Sequence, residues 1–349
     1  MQTFFVALLV FTPITIAGSK WGFSSTVLFF LAAIAIIPLA RFIGEATEEL
    51  SARTGPALGG LLNATFGNAT ELLIGTFALR KGLIEVVKAS ITGSVIGNLL
   101  LVLGTAIFAG GARYKTLTFN RSAAQASAST LLLAVIAMTI PAIFFQTSPV
   151  MRPAVTTEYL SVFVSVLMIL SYLASLWFAL RTHPHLYLAE TDVYEANWSV
   201  RKGIIILLLA TIAVGWVSDI LVGSIEPVAL RLGLTQLFIG VVVVALVGNA
   251  AEHTSAIVMA ARNRMDLTLQ ISIGSATQIA MFVAPVLVLT SVMFAKPMSL
   301  VFNSFELAAI ILSVLMVNQI VGDGESNWFE GLQLVLAYCI IAAAFFLHT

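Results

Sequence analysis

The stretch GNATELLIG, Gly67 to Gly75, lies in an apolar run from Ala57 to Leu79 in which Glu71 is the only charged residue. The core of it returns as GNAAEH at Gly248 to His253. If such runs cross a bilayer, a lone carboxylate near the centre costs about 2.5–3.5 kcal/mol on insertion scales. Bearing that cost twice, in the same local sequence, needs a reason, and the rest of the chain supplies one.

Of the 349 residues, 59% are hydrophobic and only 10% are charged. A soluble domain carries about 25% charged residues, so the chain reads as a polytopic, all-α membrane protein. A closed barrel, the other way to satisfy backbone groups in lipid, would need short alternating strands instead of these long continuous runs. A formal net charge of zero gives no sign of a nucleic-acid partner. Cys339, the single cysteine, has no internal disulfide partner and reads as a small packed hydrophobe. The N-terminal run lacks a basic residue before it and a small-residue cleavage site, so it is expected to be a retained helix.

Eleven hydrophobic segments are predicted: Thr3–Gly18, Phe23–Phe42, Pro56–Leu79, Leu83–Gly110, Ser122–Phe145, Thr156–Leu180, Gly203–Val222, Thr235–Ala261, Asp266–Ala295, Asn303–Ile320 and Trp328–His348. Trp21, Trp177, Trp198, Trp216 and Trp328 all fall near expected ends, as interfacial tryptophans do. The longest polar stretch, Arg181 to Lys202, sits at the midpoint. The expected organisation is a leading helix over 1–18, a five-helix unit over 22–182, a cytoplasmic linker over 183–202 and a second five-helix unit over 203–349, all in one membrane domain. With alternating helices, ten Lys and Arg fall on the N-terminal side and seven on the other. That bias predicts a cytoplasmic N-terminus and an outside C-terminus, although Arg80-Lys81 opposes it.

An offset of 181 residues relates the halves. It carries Gly67, Asn68, Ala69 and Glu71 onto Gly248, Asn249, Ala250 and Glu252, and Gly93-Ser94 onto Gly274-Ser275. Gly59 and Ala64 meet Gly240 and Ala245, and Glu85 meets Asp266. The same offset relates two capping-box spacings, Ser122 with Gln125 and Asn303 with Glu306. The two motif segments are five helices apart, an odd number, so they enter the membrane from opposite sides. That is an inverted-topology repeat, the plan of many secondary transporters, whose sites lie near the midplane where repeats meet. Glu71 stands nine residues before Arg80 and Glu252 ten before Arg262. At 1.5 Å per residue both lie about 14–15 Å deep, near the centre of a core of about 30 Å. The structural alternative is a pair of protonated glutamates hydrogen-bonded between helices.

Asn68 and Asn249 each precede their glutamate by three residues and share its helix face. Gly67, Gly248, Gly93 and Gly274 permit close helix approach or a helix break. Ser94 and Asn98 in one half, and Ser275, Thr277 and Gln278 in the other, add oxygen donors. No Cys or His pair points to zinc or copper; oxygen ligands with two formal negative charges suit a hard divalent cation, Ca2+ over Mg2+. Two glutamates about 5 Å apart at an effective dielectric near 20 repel by about 3 kcal/mol. Protons and a divalent cation then compete for the same carboxylates, the minimum an antiporter requires. The spacing alone does not identify the driving ion.

The paired motifs GNATELLIG with GSVIGNLLLVLG, and GNAAEHTSAI with GSATQIAMFVAP, resemble the two signature repeats of the calcium/proton antiporter (CAX) family, within the cation/calcium exchanger superfamily. The chain is similar to a bacterial-type member over nearly its whole length. The resemblance implies that Glu71 and Glu252 bind Ca2+ or protons, that Asn98 and Gln278 support them, and that the protein exports Ca2+ from the cytosol across the plasma membrane in exchange for protons. It implies no bound cofactor; Ca2+ and H+ are cargo, and the lipid bilayer is the other partner. Related sodium/calcium exchangers usually carry a further acid where this chain has Gln278, which weakens Na+ coupling. Na+ or K+ coupling, and a divalent-cation channel, are the rival readings, and a homo-oligomer is left open.

Other polar residues carry two readings each. Glu45, Glu48 and Glu49 could recruit cations near a cytoplasmic helix end or form a solvated face. Glu190, Asp192 and Glu195 in the linker pose the same choice, and the resemblance implies an acidic, Ca2+-sensing segment there in some members. His253 points about 100° away from Glu252 on a helix and either relays protons or packs. Glu306 reads as a helix-start carboxylate, and Asn63 as a pathway ligand in one half only, since its repeat mate is Val244.

Overall fold

The computed structural model describes residues 2–54, 56–148, 153–183, 196–294 and 296–347, and these are almost entirely helical. The helices are α1 (Phe4–Lys20), α2 (Ser25–Thr54), α3 (Pro56–Phe66), α4 (Ala69–Arg80), α5 (Ile84–Gly111), α6 (Arg121–Thr147), α7 (Val155–Thr182), α8 (Val200–Leu232), α9 (Gln236–Gly248), α10 (Ala250–Ala260), α11 (Met265–Ser291), α12 (Ser304–Ile320) and α13 (Trp328–Leu347). Among the described residues, α2, α5, α6, α7, α8, α11 and α13 are long and apolar enough to cross a membrane. The α9–α10 pair qualifies together but bends by 62°, and α1 and α12 are shorter apolar helices. The chain is an integral membrane protein of helices.

The third and eighth expected segments are therefore each two helices. The breaks fall at Gly67-Asn68 and at Asn249, inside the duplicated motif. α2 runs twelve residues past its expected end at Phe42, and α8 ten past Val222, so Glu45, Glu48 and Glu49 continue a helix. Trp216 consequently falls inside α8 and not near an end; Lys20 lies 6.0 Å from its ring centre.

α5 and α11 form the centre, with 83% and 72% of their apolar windows buried, against 17% for α7 and 22% for α13. α2 and α8 lie antiparallel: Leu50 meets Gly203 at one end, and Arg231 donates to Thr26 at the other. Contacts between helix ends fall into two groups. On one side, Arg113 donates to the Ala261 carbonyl and the Asn120 N–H to Asp266. There Leu117–Thr118 also pairs antiparallel with Glu325–Ser326. On the other side, Lys81 pairs with Asp219 at 2.9 Å, and Lys88 donates to the Val301 carbonyl.

Local sequence sets the helix starts. Asn303 and Glu306 form the expected capping box, each side chain accepting the other's backbone N–H. The Ser122–Gln125 spacing does not cap α6; Asn120 does, accepting from the Ala123 N–H at 3.1 Å. Asn120 comes two residues earlier and has the extended backbone that a cap requires.

One crossing is tighter than the others. A Cβ on Gly93 of α5 would collide with the carbonyl of Val241 on α9, and one on Gly240 would sit 2.5 Å from the Ala89 Cβ. The counterpart 181 residues on is open: among the described residues a Cβ on Gly274 meets nothing within 4 Å, and one on Gly59 would lie nearest Ser51 of α2. Of the four glycines expected to break or pack, Gly274 thus does neither here. Leu58 on α3 is 51% exposed, whereas its counterpart Ile239 is 1% exposed.

Gly93→Ala is expected to lower the melting temperature of purified protein by more than 5 °C, because backbone opposes the added methyl. Gly97→Ala, in helical backbone with open space, should hold or raise it, since Ala favours a helix over Gly by roughly 0.5–1 kcal/mol. A melting series on the two variants checks the contrast.

Candidate functional site: a polar junction between helix breaks

Glu71 and Glu252 lie in the first turns of α4 and α10, just past the two breaks. A helix N-terminus carries unpaired N–H groups and the positive end of the helix dipole, so it favours negative charge. Asn68 and Asn249 occupy the N-cap positions, yet neither side chain caps its helix. Both are turned outward, into contacts between helices.

Asn249, 1% exposed, donates to Ser94 Oγ at 2.9 Å and accepts from Asn98 Nδ2 at 3.1 Å. Asn98 also donates to Ser275 Oγ at 3.0 Å, and Ser275 donates to Glu252 Oε2 at 3.1 Å. A second link runs from Asn68 Nδ2 to Gln278 Oε1 at 2.6 Å. All but the Ser275–Glu252 bond join residues 68–98 to residues 249–278. Glu71, Ser90, Ser94, Val244 and Gly248 line one small cleft. A Cβ on Gly248 would stand 3.1 Å from Glu71 Oε1, so this glycine makes room for the carboxylate.

Two amide oxygens in the junction, Asn68 Oδ1 and Asn98 Oδ1, are buried with no hydrogen-bond partner among the described residues. Buried carbonyl oxygens are almost always paired, and a hard cation is one partner such oxygens can take. Neither Glu71 nor Glu252 takes part in a salt bridge among the described residues. Nor does any group of three or more His, Cys, Asp or Glu side chains there fit a metal ion. Cation ligands would have to come from two carboxylates plus amides and hydroxyls.

The structure brings together Glu71, Glu252, Asn68, Asn249, Ser94, Asn98, Ser275 and Gln278. Thr277 turns its hydroxyl to the Ile273 carbonyl of its own helix. His253 is half-buried on α10, and Asn63 is exposed on α3. Glu306, 1% exposed, accepts from Thr92 at 3.3 Å besides capping α12. Glu49 is buried, and its Oε2 accepts the Trp198 N–H at 2.8 Å, so it anchors the segment before α8; Glu45 is half-buried and Glu48 exposed. Glu190, Asp192 and Glu195 lie outside the described residues.

Two features escaped the sequence. Ser90 lines the cleft with Glu71, and its position one helical turn before Ser94 was the available signal. One π-helical turn, Gly97–Val102, contains Asn98, and another, Ile279–Val283, directly follows Gln278. Such turns often mark functional positions, but no residue type announces them.

The family model for the sodium/calcium exchanger protein matches residues 24–181 and 202–347. A Ca2+/H+ antiporter of Synechocystis sp. is 47% identical, with 99% of this chain and 97% of that protein covered. The Ca2+/H+ antiporter ChaA of Bacillus subtilis is also 47% identical, with 99% of each covered. The solved structure of native YfkE superposes with a TM-score of 0.86 at 44% identity, covering 98% of this chain and 99% of that one.

Asn249→Ala removes an acceptor from Asn98 and a donor from Ser94 while both stay buried. Each stranded group costs about 1–3 kcal/mol. A fall in melting temperature is expected, larger than for His253→Ala on the same helix, and a thermal melt of the two variants checks it.

Proposed function

The chain belongs to the sodium/calcium exchanger protein family, and from that premise we propose that it is a secondary active antiporter exchanging cytosolic Ca2+ for protons. It is a transporter and not an enzyme. One observation carries this reading: two carboxylates at helix breaks, without a basic partner among the described residues, beside amide oxygens that lack a donor. A charge in a low-dielectric interior must be paired or neutralised. Here a cation or a proton does it, so each displaces the other. The names of the relatives, Ca2+/H+ antiporters at 47% identity over nearly full length, support these two ions.

The proposed architecture is a leading helix and two inverted five-helix units, eleven spans when α3–α4 and α9–α10 each count once. The 181-residue offset and the two matched segments, 24–181 and 202–347, support it. The N-terminus is cytoplasmic and the C-terminus outside, in the plasma membrane, on the Lys and Arg bias. Ca2+ enters from the cytoplasm, the junction closes around it, and protons arriving from outside replace it on Glu71 and Glu252. Their return resets the carrier. No resident cofactor takes part.

Alternating access needs two arrangements of one junction. In this one, α9 is packed on α5 through Gly93 and Gly240, while α3 stands away from Gly274. In the proposed orientation that opens the cytoplasmic side. The other state brings α3 against α11 at Gly274.

Two experiments test the reading. In liposomes holding purified protein, with all Na+ omitted, radioactive Ca2+ uptake should follow an imposed pH gradient and stop when it is collapsed. Glu71→Gln and Glu252→Gln should abolish exchange by more than a hundredfold while inserting normally. Uptake that ignores the gradient would indicate a channel, and a near wild-type rate in either variant would remove that residue from the mechanism. Gly274→Val should melt at the wild-type temperature, because the space is open, yet exchange at least tenfold more slowly. An unchanged rate would contradict closure at that position.

A further inference from the structure

On the proposed cytoplasmic side, away from the ion junction, the C-terminal end of α5 and the start of α13 frame a groove of about 520 Å3 open on one face. Its wall includes Phe108, Arg113, Tyr114, Lys115 and Trp328. The groove has a structural cause. Gly111 lets the backbone of α13 approach at Trp328, closer than any side chain would allow, and the chain then turns outward through Ala112 to Lys115. Phe108 and Trp328 meet edge to face, with ring centres 6.5 Å apart, and form its apolar floor.

Its chemistry is two-sided. Trp328, Tyr114 and Phe108 are 48%, 38% and 43% exposed and lie where two spanning helices end, the level at which aromatic rings meet headgroups. Arg113 and Lys115 supply two positive charges, and among the described residues no acid lines the groove. One N–H of Arg113 donates to the Ala261 carbonyl at 3.2 Å, which fixes the guanidinium. A guanidinium has five N–H groups in a planar fork, so the others remain to grip a phosphate.

We propose that this groove binds the headgroup of an anionic phospholipid, its phosphate held by Arg113 and Lys115 and the start of its acyl chains lying on Phe108 and Trp328. A soluble anion would satisfy the charges but leave the aromatic floor uncovered. A lipid satisfies both, and basic pockets between spanning helices on the cytoplasmic side suit such headgroups. This site is independent of the ion junction, so it stands or falls separately from the antiport reading.

Each basic residue near an anionic membrane surface is worth roughly a fivefold preference, so losing two should cost about thirtyfold. The test is native mass spectrometry of purified protein offered equal phosphatidylglycerol and phosphatidylcholine. Wild type should retain phosphatidylglycerol in preference. Lys115→Gln should cut that preference about fivefold and Arg113→Gln with Lys115→Gln about thirtyfold, while Arg201→Gln with Lys202→Gln, elsewhere on the same side, keeps it. Undiminished preference in both groove variants would overturn the proposal. So would an equal loss in the Arg201 and Lys202 control, which marks a general surface-charge effect, or a change of oligomeric state with lipid retention intact, which marks a second copy of the chain as the occupant.

Discussion

The side-chain amide of Asn249 sits at a break between two helices, donating to Ser94 and accepting from Asn98, and Ser275 continues that network to Glu252. These bonds hold α5, α10 and α11 to a common junction. They are also the condition for keeping polar groups in an apolar bundle, where each unpaired one costs roughly 1–3 kcal/mol. The helix breaks are what make the network possible. They end α3 and α9 short of the glutamates, so that Glu71 and Glu252 stand at helix starts, where backbone N–H groups favour an acid.

Around the junction, contact is governed by glycine. The α5–α9 crossing brings two backbones together at Gly93 and Gly240, with no room for a methyl. At Gly274 a methyl would meet nothing within 4 Å among the described residues. One sequence pattern, read twice, thus appears in two packings within one molecule. A carrier built on inverted repeats would do this, each half adopting in turn the arrangement of the other.

Much of this was legible in the chain because polarity inside an apolar run is costly and therefore conspicuous. Glu71, Glu252, Asn68, Asn249, Ser94, Asn98, Ser275 and Gln278 were all singled out on that ground, and the structure gathers them. The lengths of α2 and α8 were not legible, since an apolar run ends where charges begin, whether or not the helix continues past them. Nor was the role of Glu49, whose carboxylate serves the Trp198 N–H 149 residues away in the chain. The π-helical turns at Asn98 and after Gln278 depend on packing and carry no signature of residue type. The contrast between Gly93 and Gly274 was hidden most completely, because a symmetric sequence cannot say which of two equivalent crossings is closed.

Whether Ca2+ and protons occupy the same carboxylates is most directly measured by the protons released when Ca2+ binds. Calorimetry of purified protein in buffers of different ionisation enthalpy counts them. Shared occupancy predicts net proton release with each Ca2+ bound, and an affinity that falls as pH is lowered. Binding that releases no protons and keeps the same affinity across pH would contradict it.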